Sequence, residues 1–283
     1  MESDDARLLQ WIGKSERGRD WIAPERAQAL QATLDRMHPL LAAGDPLPPL
    51  WHWLYFWTVV ARSGLGRDGH PALGGFLPPV GTARRMWAGS RVRFPGRLTI
   101  GDHAERTSTI TDVTAKTGRT GRLVFVTVRH EITGRDGLAV IDEHDIVYRE
   151  DVGRGAARRA GEPAPMGAMY SEEVRADPTM LFRYSALTFN GHRIHYDRPY
   201  ATEVEGYPGL VVHGPLLATL MVGLAVRSWP DRAIEGFEFR GHRPVADGAP
   251  FTVCGAAADD RSIELWIADA DGELAMRGRA DFR

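Results

Sequence analysis

The chain has 283 residues, of which 35 are basic and 37 acidic, for a formal net charge of −2 at neutral pH. That balance gives no electrostatic case for nucleic acid or an anionic membrane surface as partner. The length suits one large domain or two ordinary ones of roughly 100–200 residues. A composition of 43% hydrophobic and 25% charged residues is that of a soluble globular chain with a sizeable core to bury.

The basic residues are almost all arginine, with lysine only at Lys14 and Lys116. Cys254 is the only cysteine, so no disulfide can form within the chain, which fits a reducing compartment. The acidic start Met1-Glu2-Ser3-Asp4-Asp5 has no apolar run of the kind a signal peptide carries. The longest apolar stretch, Leu210 to Val226, is broken by His213, Gly214 and Pro215 and falls short of the ~20 residues that span a bilayer. These features together predict a soluble cytoplasmic protein.

Residues 1–42 read as helical: Leu8, Leu9, Trp11 and Ile12 fall at helical spacing, and Pro24 suits the first turn of a second helix ending near Leu41. Gly44 and the prolines at 46, 48 and 49 end that pattern. The aromatic run Trp51 to Trp57 predicts a helix or strand packed into a core or ligand groove. Gly64-Leu65-Gly66-Arg67-Asp68-Gly69 has the spacing of a dinucleotide fingerprint. The fingerprint needs a strand before it and a helix after it. Here His70-Pro71 follows, so the stretch reads as a loop, continued by Gly74 to Pro79. Long irregular connections of this kind often carry binding function.

From Met86 the pattern alternates. Arg91–Phe94, Leu98–Asp102, Glu105–Val113, Leu123–Ile132 and Ala139–Tyr148 read as antiparallel strands separated by glycine-rich turns. Residues 151–168, rich in Gly, Ala, Arg and Pro, read as a linker. Strands return at Gly236–Arg240, Pro250–Ala256, Ile263–Asp269 and Leu274–Asp281. Arg91 to Asp102 and Phe237 to Gly248 share an outline of strand, basic bend and Gly/Asp turn. That points to a weak internal duplication, one helix wrapped by a sheet, twice.

The stretch Phe182 to Asp197 packs amides, imidazoles, a carboxylate and guanidinium groups between apolar residues. Gly209 to Met221 follows and reads as a buried helix with an unusual start. His192-x-x-His195-x-Asp197 has a superficial metal-ligand spacing, but a zinc site usually needs three well-placed protein ligands, and no metal is expected.

With Val212-His213-Gly214, the Phe182–Asp197 stretch resembles the MaoC-like hydratases of the double hotdog fold. The match points to the branch containing mesaconyl-C4-CoA and itaconyl-CoA hydratases and the HTD2-type 3-hydroxyacyl dehydratases. Trp51–Phe56, Gly74–Pro79 and Arg84-Arg85-Met86-Trp87-Ala88-Gly89 are similar to that branch too, so the resemblance covers most of residues 45–283. It implies an α+β double hotdog: two central helices, each wrapped by a curved antiparallel sheet. An N-terminal helical extension would precede them. Residues 1–160 would hold the N-terminal helices and a non-catalytic hotdog, and 161–283 the catalytic one. The common family motif is Asp-x-Asn-Pro-x-His. Here Asn190 stands for the Asp, His192 for the Asn and Arg193 for the Pro, while His195 matches the His.

The resemblance implies a hydro-lyase that adds water reversibly to the C=C of a short branched dicarboxylyl-CoA, giving citramalyl-CoA. The alternatives are a 3-hydroxyacyl-ACP or acyl-CoA dehydratase and a thioesterase or acyl-thioester binder. His195 is the expected base, since an imidazole titrates near working pH. Asn190 cannot titrate and would position the water. Gly214 would offer its amide to the thioester oxygen at a helix N-terminus. Arg183, Arg193, Arg240 and Arg243 are candidates for CoA phosphates or a substrate carboxylate, with His213 also in the substrate-binding set. Asp197 would either orient His195 or cap a turn. CoA enters as part of the substrate, with no resident cofactor; the sequence does not give the oligomeric state, and a homodimer is one possible assembly.

Overall fold

The computed structural model describes residues 7–80, 84–118, 121–149 and 161–283. Most of the expected linker, up to residue 160, and the acidic start Met1–Asp5 lie outside the described residues. Ten strands form a single sheet: β1 (Ser15–Trp21), β2 (Arg84–Arg93), β3 (His103–Gly118), β4 (Gly121–Gly134), β5 (Gly137–Arg149), β6 (Tyr170–Val174), β7 (Ile234–Gly241), β8 (Phe251–Ala257), β9 (Ser262–Ala268) and β10 (Leu274–Phe282). Their spatial order is β1-β3-β4-β5-β2-β7-β10-β9-β8-β6. From either edge the sheet shows one pattern twice, 1-3-4-5-2 and 6-8-9-10-7. The two halves join where β2 runs antiparallel to β7, Gly89 opposite Arg240 and Arg93 opposite Gly236.

The N-terminal segment is helical only in part. Residues 7–9 are α-helical; the chain then supplies the edge strand β1, paired to β3 from Ser15↔Thr109 to Trp21↔His103, and α1 (Pro24–Thr33), which starts at the expected proline and ends well before Leu41. The reason β1 escapes a hydropathy reading is its sequence, Ser-Glu-Arg-Gly-Arg-Asp-Trp. It contacts the sheet on one edge only, and charge on an exposed edge discourages pairing with other chains. Leu98–Asp102 is likewise no sheet strand; it makes an isolated bridge, Thr99 to Pro46.

In the second half, β6 leads into α2 (Pro178–Leu187), whose N-cap Asp177 accepts a hydrogen bond from the Met180 N–H. An irregular stretch then leads to α3 (Gly214–Ser228). Leu216 to Val222, with Leu224 and Ala225, are all buried, so α3 is apolar nearly all round, as a helix gripped by a sheet must be. Each such leucine contributes roughly 1.5–3 kcal/mol by leaving water. Close approach is permitted by Gly278 on β10. A Cβ there would meet the Glu238 carbonyl at 2.8 Å and Met221 Cε at 3.2 Å.

The first half repeats the strands but not the core helix. Where α3 would lie, the described residues show a 3-10 turn at Trp51–Leu54 and an irregular segment beyond it. The expectation of two central helices therefore holds for one half only. The run Trp51 to Phe56 lacks the length and periodicity of a helix, and its bulky rings fill the space instead: Trp51, Leu54, Tyr55 and Phe56 are all buried.

Candidate active site

α2 ends at Leu187, and Phe189 with φ of 50° turns the chain toward a 3-10 turn at Arg193–His195. The Asn190 side-chain oxygen accepts from the His192 N–H at 3.0 Å, closing an Asx turn, and the side-chain NH2 makes no hydrogen bond among the described residues. The turn delivers His195 to a buried position. Its Nδ1 lies 2.7 Å from the Val211 carbonyl. A carbonyl only accepts, so Nδ1 carries the proton and Nε2 keeps its lone pair.

The His195 ring stacks on His213, with centroids 3.7 Å apart and 20° between planes. His213 is completely buried, its Nε2 is 2.8 Å from Ser185 Oγ, and its Nδ1 has no hydrogen-bond partner among the described residues. It has no surface to offer a substrate, contrary to the expectation; it is the platform beneath His195. The next residue, Gly214, opens α3. Leu217 N–H is the first to bond back, to the His213 carbonyl at 3.1 Å, and Pro215 has no N–H. The amides of Gly214 and Leu216 thus have no backbone partner among the described residues and lie at the positive end of the helix dipole. The stack ties the imidazole of His195 to the residue immediately before Gly214, at the start of α3.

Among the described residues, no carboxylate touches His195 or His213. Burial, followed by the neighbouring His192, pushes His195 down to about 3, and burial drives His213 well below the usual imidazole range. His195 is therefore a neutral imidazole at working pH with a free Nε2 lone pair, and the same burial makes it a weaker base than the ordinary imidazole expected from the sequence.

Asp197 caps a turn and does not orient the base. It accepts from the Tyr200 N–H at 3.1 Å and pairs with Arg193, whose Nη2 and Nε lie 2.8 and 3.0 Å from Oδ2. Arg193 is thereby spent: it also donates to the Arg67 carbonyl and lies 4.1 Å over the Tyr200 ring. Arg183 is exposed on α2, and Arg240, next to buried Phe239 on β7, is exposed as well. Arg243 pairs with Glu273 and lies 3.6 Å from Asp269. None of the four arginines singled out from the sequence stands free beside His195.

The groups that do stand there come from the loop between Gly64 and Pro79. Arg193 N–H donates to the Asp68 carbonyl at 2.9 Å, docking that loop on the His195 turn. Gly69, at φ of 89°, lies so close that a Cβ would meet the Gly191 carbonyl at 2.0 Å. The docking brings His70 over His192, centroids 4.2 Å apart, and His192 meets His195 edge-on at 5.3 Å. His70 Nδ1 lies 2.9 Å from Asp68 Oδ2 and the His70 N–H is 3.1 Å from Oδ1.

Burial raises the Asp68 carboxyl, but the hydrogen bonds from His70 outweigh it and keep the group ionised. Burial, with His70 as the next cause, lowers His192 to about 3. Asp68, His70 and His192 offer donor atoms within 4.8 Å of one another, a spacing an ion could bridge. The His70 Nδ1–H is already committed to Asp68, and we read the pair as a hydrogen-bonded dyad. Sequence reasoning missed Asp68 and His70 because they precede His192 by more than 120 residues; the Asp-Gly-His spelling inside a glycine-rich loop was the only signal. Two surface depressions, one at Trp229 and Arg232 and one between Arg26 and Trp57, are lined by none of these residues.

A sheet that repeats one strand pattern around a buried helix, with a histidine turn set against the helix start, defines the class. Solved structures agree on the fold. A MaoC-like dehydratase from Phytophthora capsici superposes with a TM-score of 0.72, covering 98% of each chain at 10% identity. A Mycobacterium tuberculosis protein described as having a double hotdog fold gives 0.58 over 96% of each chain at 15% identity. The fold is a double hotdog.

The family follows from the sequence. Residues 50–247 match the model of hydroxyacyl-thioester dehydratase type 2. The mesaconyl-C(4)-CoA hydratase of Chloroflexus aurantiacus is 47% identical over 271 residues, 96% of each chain. The mitochondrial hydroxyacyl-thioester dehydratase type 2 of Schizosaccharomyces pombe is 28% identical over 92% of this chain and 97% of its own length. The chain belongs to this hydratase and dehydratase family, and it is a hydro-lyase. No helix among the described residues is long and apolar enough to cross a membrane.

Proposed function

We propose that the protein adds water reversibly to the C=C of a short branched dicarboxylyl-CoA thioester, mesaconyl-C4-CoA or itaconyl-CoA, to give citramalyl-CoA. The observation that carries the reading is the stack of His195, with an unprotonated Nε2, on His213, the residue that immediately precedes the open start of α3 at Gly214. The 47% identity to a mesaconyl-C(4)-CoA hydratase supports this choice of acyl group.

In this reading His195 Nε2 takes a proton from water as the oxygen attacks Cβ, and the side-chain NH2 of Asn190 holds that water in place. Electrons move through the conjugated system onto the thioester oxygen. The Gly214 and Leu216 amides stabilise that charge, aided by the helix dipole. Imidazolium His195 then returns its proton to Cα, so one base serves both transfers and ends neutral. Burial keeps the ring uncharged at rest and penalises the imidazolium, and the negative charge of the facing enolate offsets that penalty while it lasts.

CoA enters with the substrate, no resident cofactor is needed, and the enzyme acts in the cytoplasm as a homodimer, which light scattering checks. Incubation with mesaconyl-C4-CoA, read by mass spectrometry, should show gain of one water, and His195→Ala should abolish it. No gain with either dicarboxylyl thioester, alongside turnover of 3-hydroxyacyl thioesters, would move the protein to the dehydratase reading that its fission-yeast relative supports.

A further inference from the structure

We propose that Arg85 and Tyr148, both from the non-catalytic half, form the site for the free carboxylate of the substrate and thereby set its specificity. The inference rests on the dicarboxylyl reading above and names the groups that reading lacks.

In a mesaconyl-C4 thioester the free carboxylate is attached to Cβ, the carbon that water attacks. Base, water and Cβ are each separated by about one hydrogen-bond length, so the carboxylate must lie on the order of 6 Å from His195 Nε2. The polar groups that extend from His195 at that range are His192 and then His70. Both are neutral where burial dominates, so a cation has to come from beyond them. Arg85 supplies it. It is half-buried on β2, and its side chain makes no hydrogen bond or ion pair among the described residues. Its charge is one of those that hold both His70 and His192 low, after burial in each case.

Tyr148 is the second, independent observation. It stands directly opposite Arg85 across the β2–β5 pairing. Its ring is 1% exposed, and its hydroxyl is buried without a hydrogen-bond partner. A buried phenol O–H left unpaired is costly unless a ligand accepts from it. Asp68 is the nearby anion, and both its oxygens already accept from His70, through the ring and the backbone N–H. An unpaired guanidinium, an unpaired hydroxyl donor and neutral imidazoles are together a set of donors for one carboxylate.

The test separates binding from turnover. Succinyl-CoA and butyryl-CoA differ only in a carboxylate against a methyl on Cβ, and neither has a double bond to hydrate. By calorimetry the wild-type protein should bind succinyl-CoA more tightly. Arg85→Gln should lower that preference by about 10- to 100-fold, the range of a hydrogen bond to a charged group. Affinity for butyryl-CoA should change less than about threefold. Tyr148→Phe, which removes only the hydroxyl, should lower the preference by a smaller factor without lowering the melting temperature. Arg85→Lys should keep part of it. Equal loss for both ligands would make Arg85 structural and overturn the proposal, as would an unchanged preference in Arg85→Gln. Turnover of mesaconyl-C4-CoA by the wild-type protein is measured in parallel. If that fails while the binding preference holds, the hydratase reading falls and the carboxylate site stands.

Discussion

The two halves of the sheet have the same strand topology and opposite centres. In the second half a fifteen-residue helix fills the concave face, and three imidazoles gather at its start with no carboxylate among the described residues touching His195 or His213. In the first half the described residues include no such central helix, and a carboxylate is the centre. Asp142 on β5 is 1% exposed, and it accepts from His144 Nε2 at 2.7 Å, Trp53 Nε1 at 2.8 Å, Ser90 Oγ at 2.9 Å and His52 Nε2 at 3.0 Å.

Burial would raise the Asp142 carboxyl, yet the charge and hydrogen bond of His144, followed by those of His52, hold it well below the usual range. The first half thus satisfies its central carboxylate with four donors; the second leaves an imidazole and two amides open at its own centre. Buried polar groups left open are expensive, and they persist where a ligand completes them. The first half, freed of its helix, sends its loop and the end of β2 across to the second.

The largest expected effect lies on the open side. His195→Ala should cost ~10²–10⁴-fold in kcat for hydration, with the unfolding midpoint close to wild type; activity within tenfold of wild type would remove His195 as the base. On the satisfied side, Asp142→Ala strands four donors, and urea unfolding should show a loss of about 3–5 kcal/mol while kcat per folded molecule is kept. If Asp142→Ala instead behaves like His195→Ala, the division of labour between the halves is wrong.

The crossing between them is tested by Gly69→Ala, which forces a Cβ against the Gly191 carbonyl. Steady-state kinetics should show kcat/KM down by roughly 10- to 100-fold, as for a misplaced catalytic group, with a small change in melting temperature. The imidazoles sharpen the contrast through pH. His195 and His192 stay neutral in the folded protein down to about 3, against 6.5 for a free imidazole. Below 6.5 the unfolded chain binds protons that the folded one refuses. Their contribution is therefore complete above 6.5 and declines as pH falls toward 3. Denaturation midpoints across that window should fall, and less steeply in His192→Gln. The smallest effect belongs to Arg193→Ala: a part-exposed pair with Asp197 contributes under about 1 kcal/mol, and substrate affinity should barely move.

Much of this was legible in the sequence. The strands from β3 to β5 and from β7 to β10 announce themselves by alternation, because each has one face against the core and one toward water. The α3 stretch shows as an apolar run broken by Gly214-Pro215, and the polar turn from Asn190 to His195 stands out against apolar neighbours. These are local patterns, fixed by which side chains can be wetted.

What the chain order could not express is which distant groups share a space. β1 is hidden because an edge strand needs no apolar alternation. The missing helix of the first half is hidden because aromatic bulk can fill a core without periodicity. Arg193 looked like a substrate ligand until the fold placed Asp197 against it. Asp68 and His70 gained a role only when a glycine contact docked their loop, and Arg85 when β2 paired with β5. Residue type sets what each group can do chemically; long-range packing sets whether it is already spent on a neighbour or left open for a substrate.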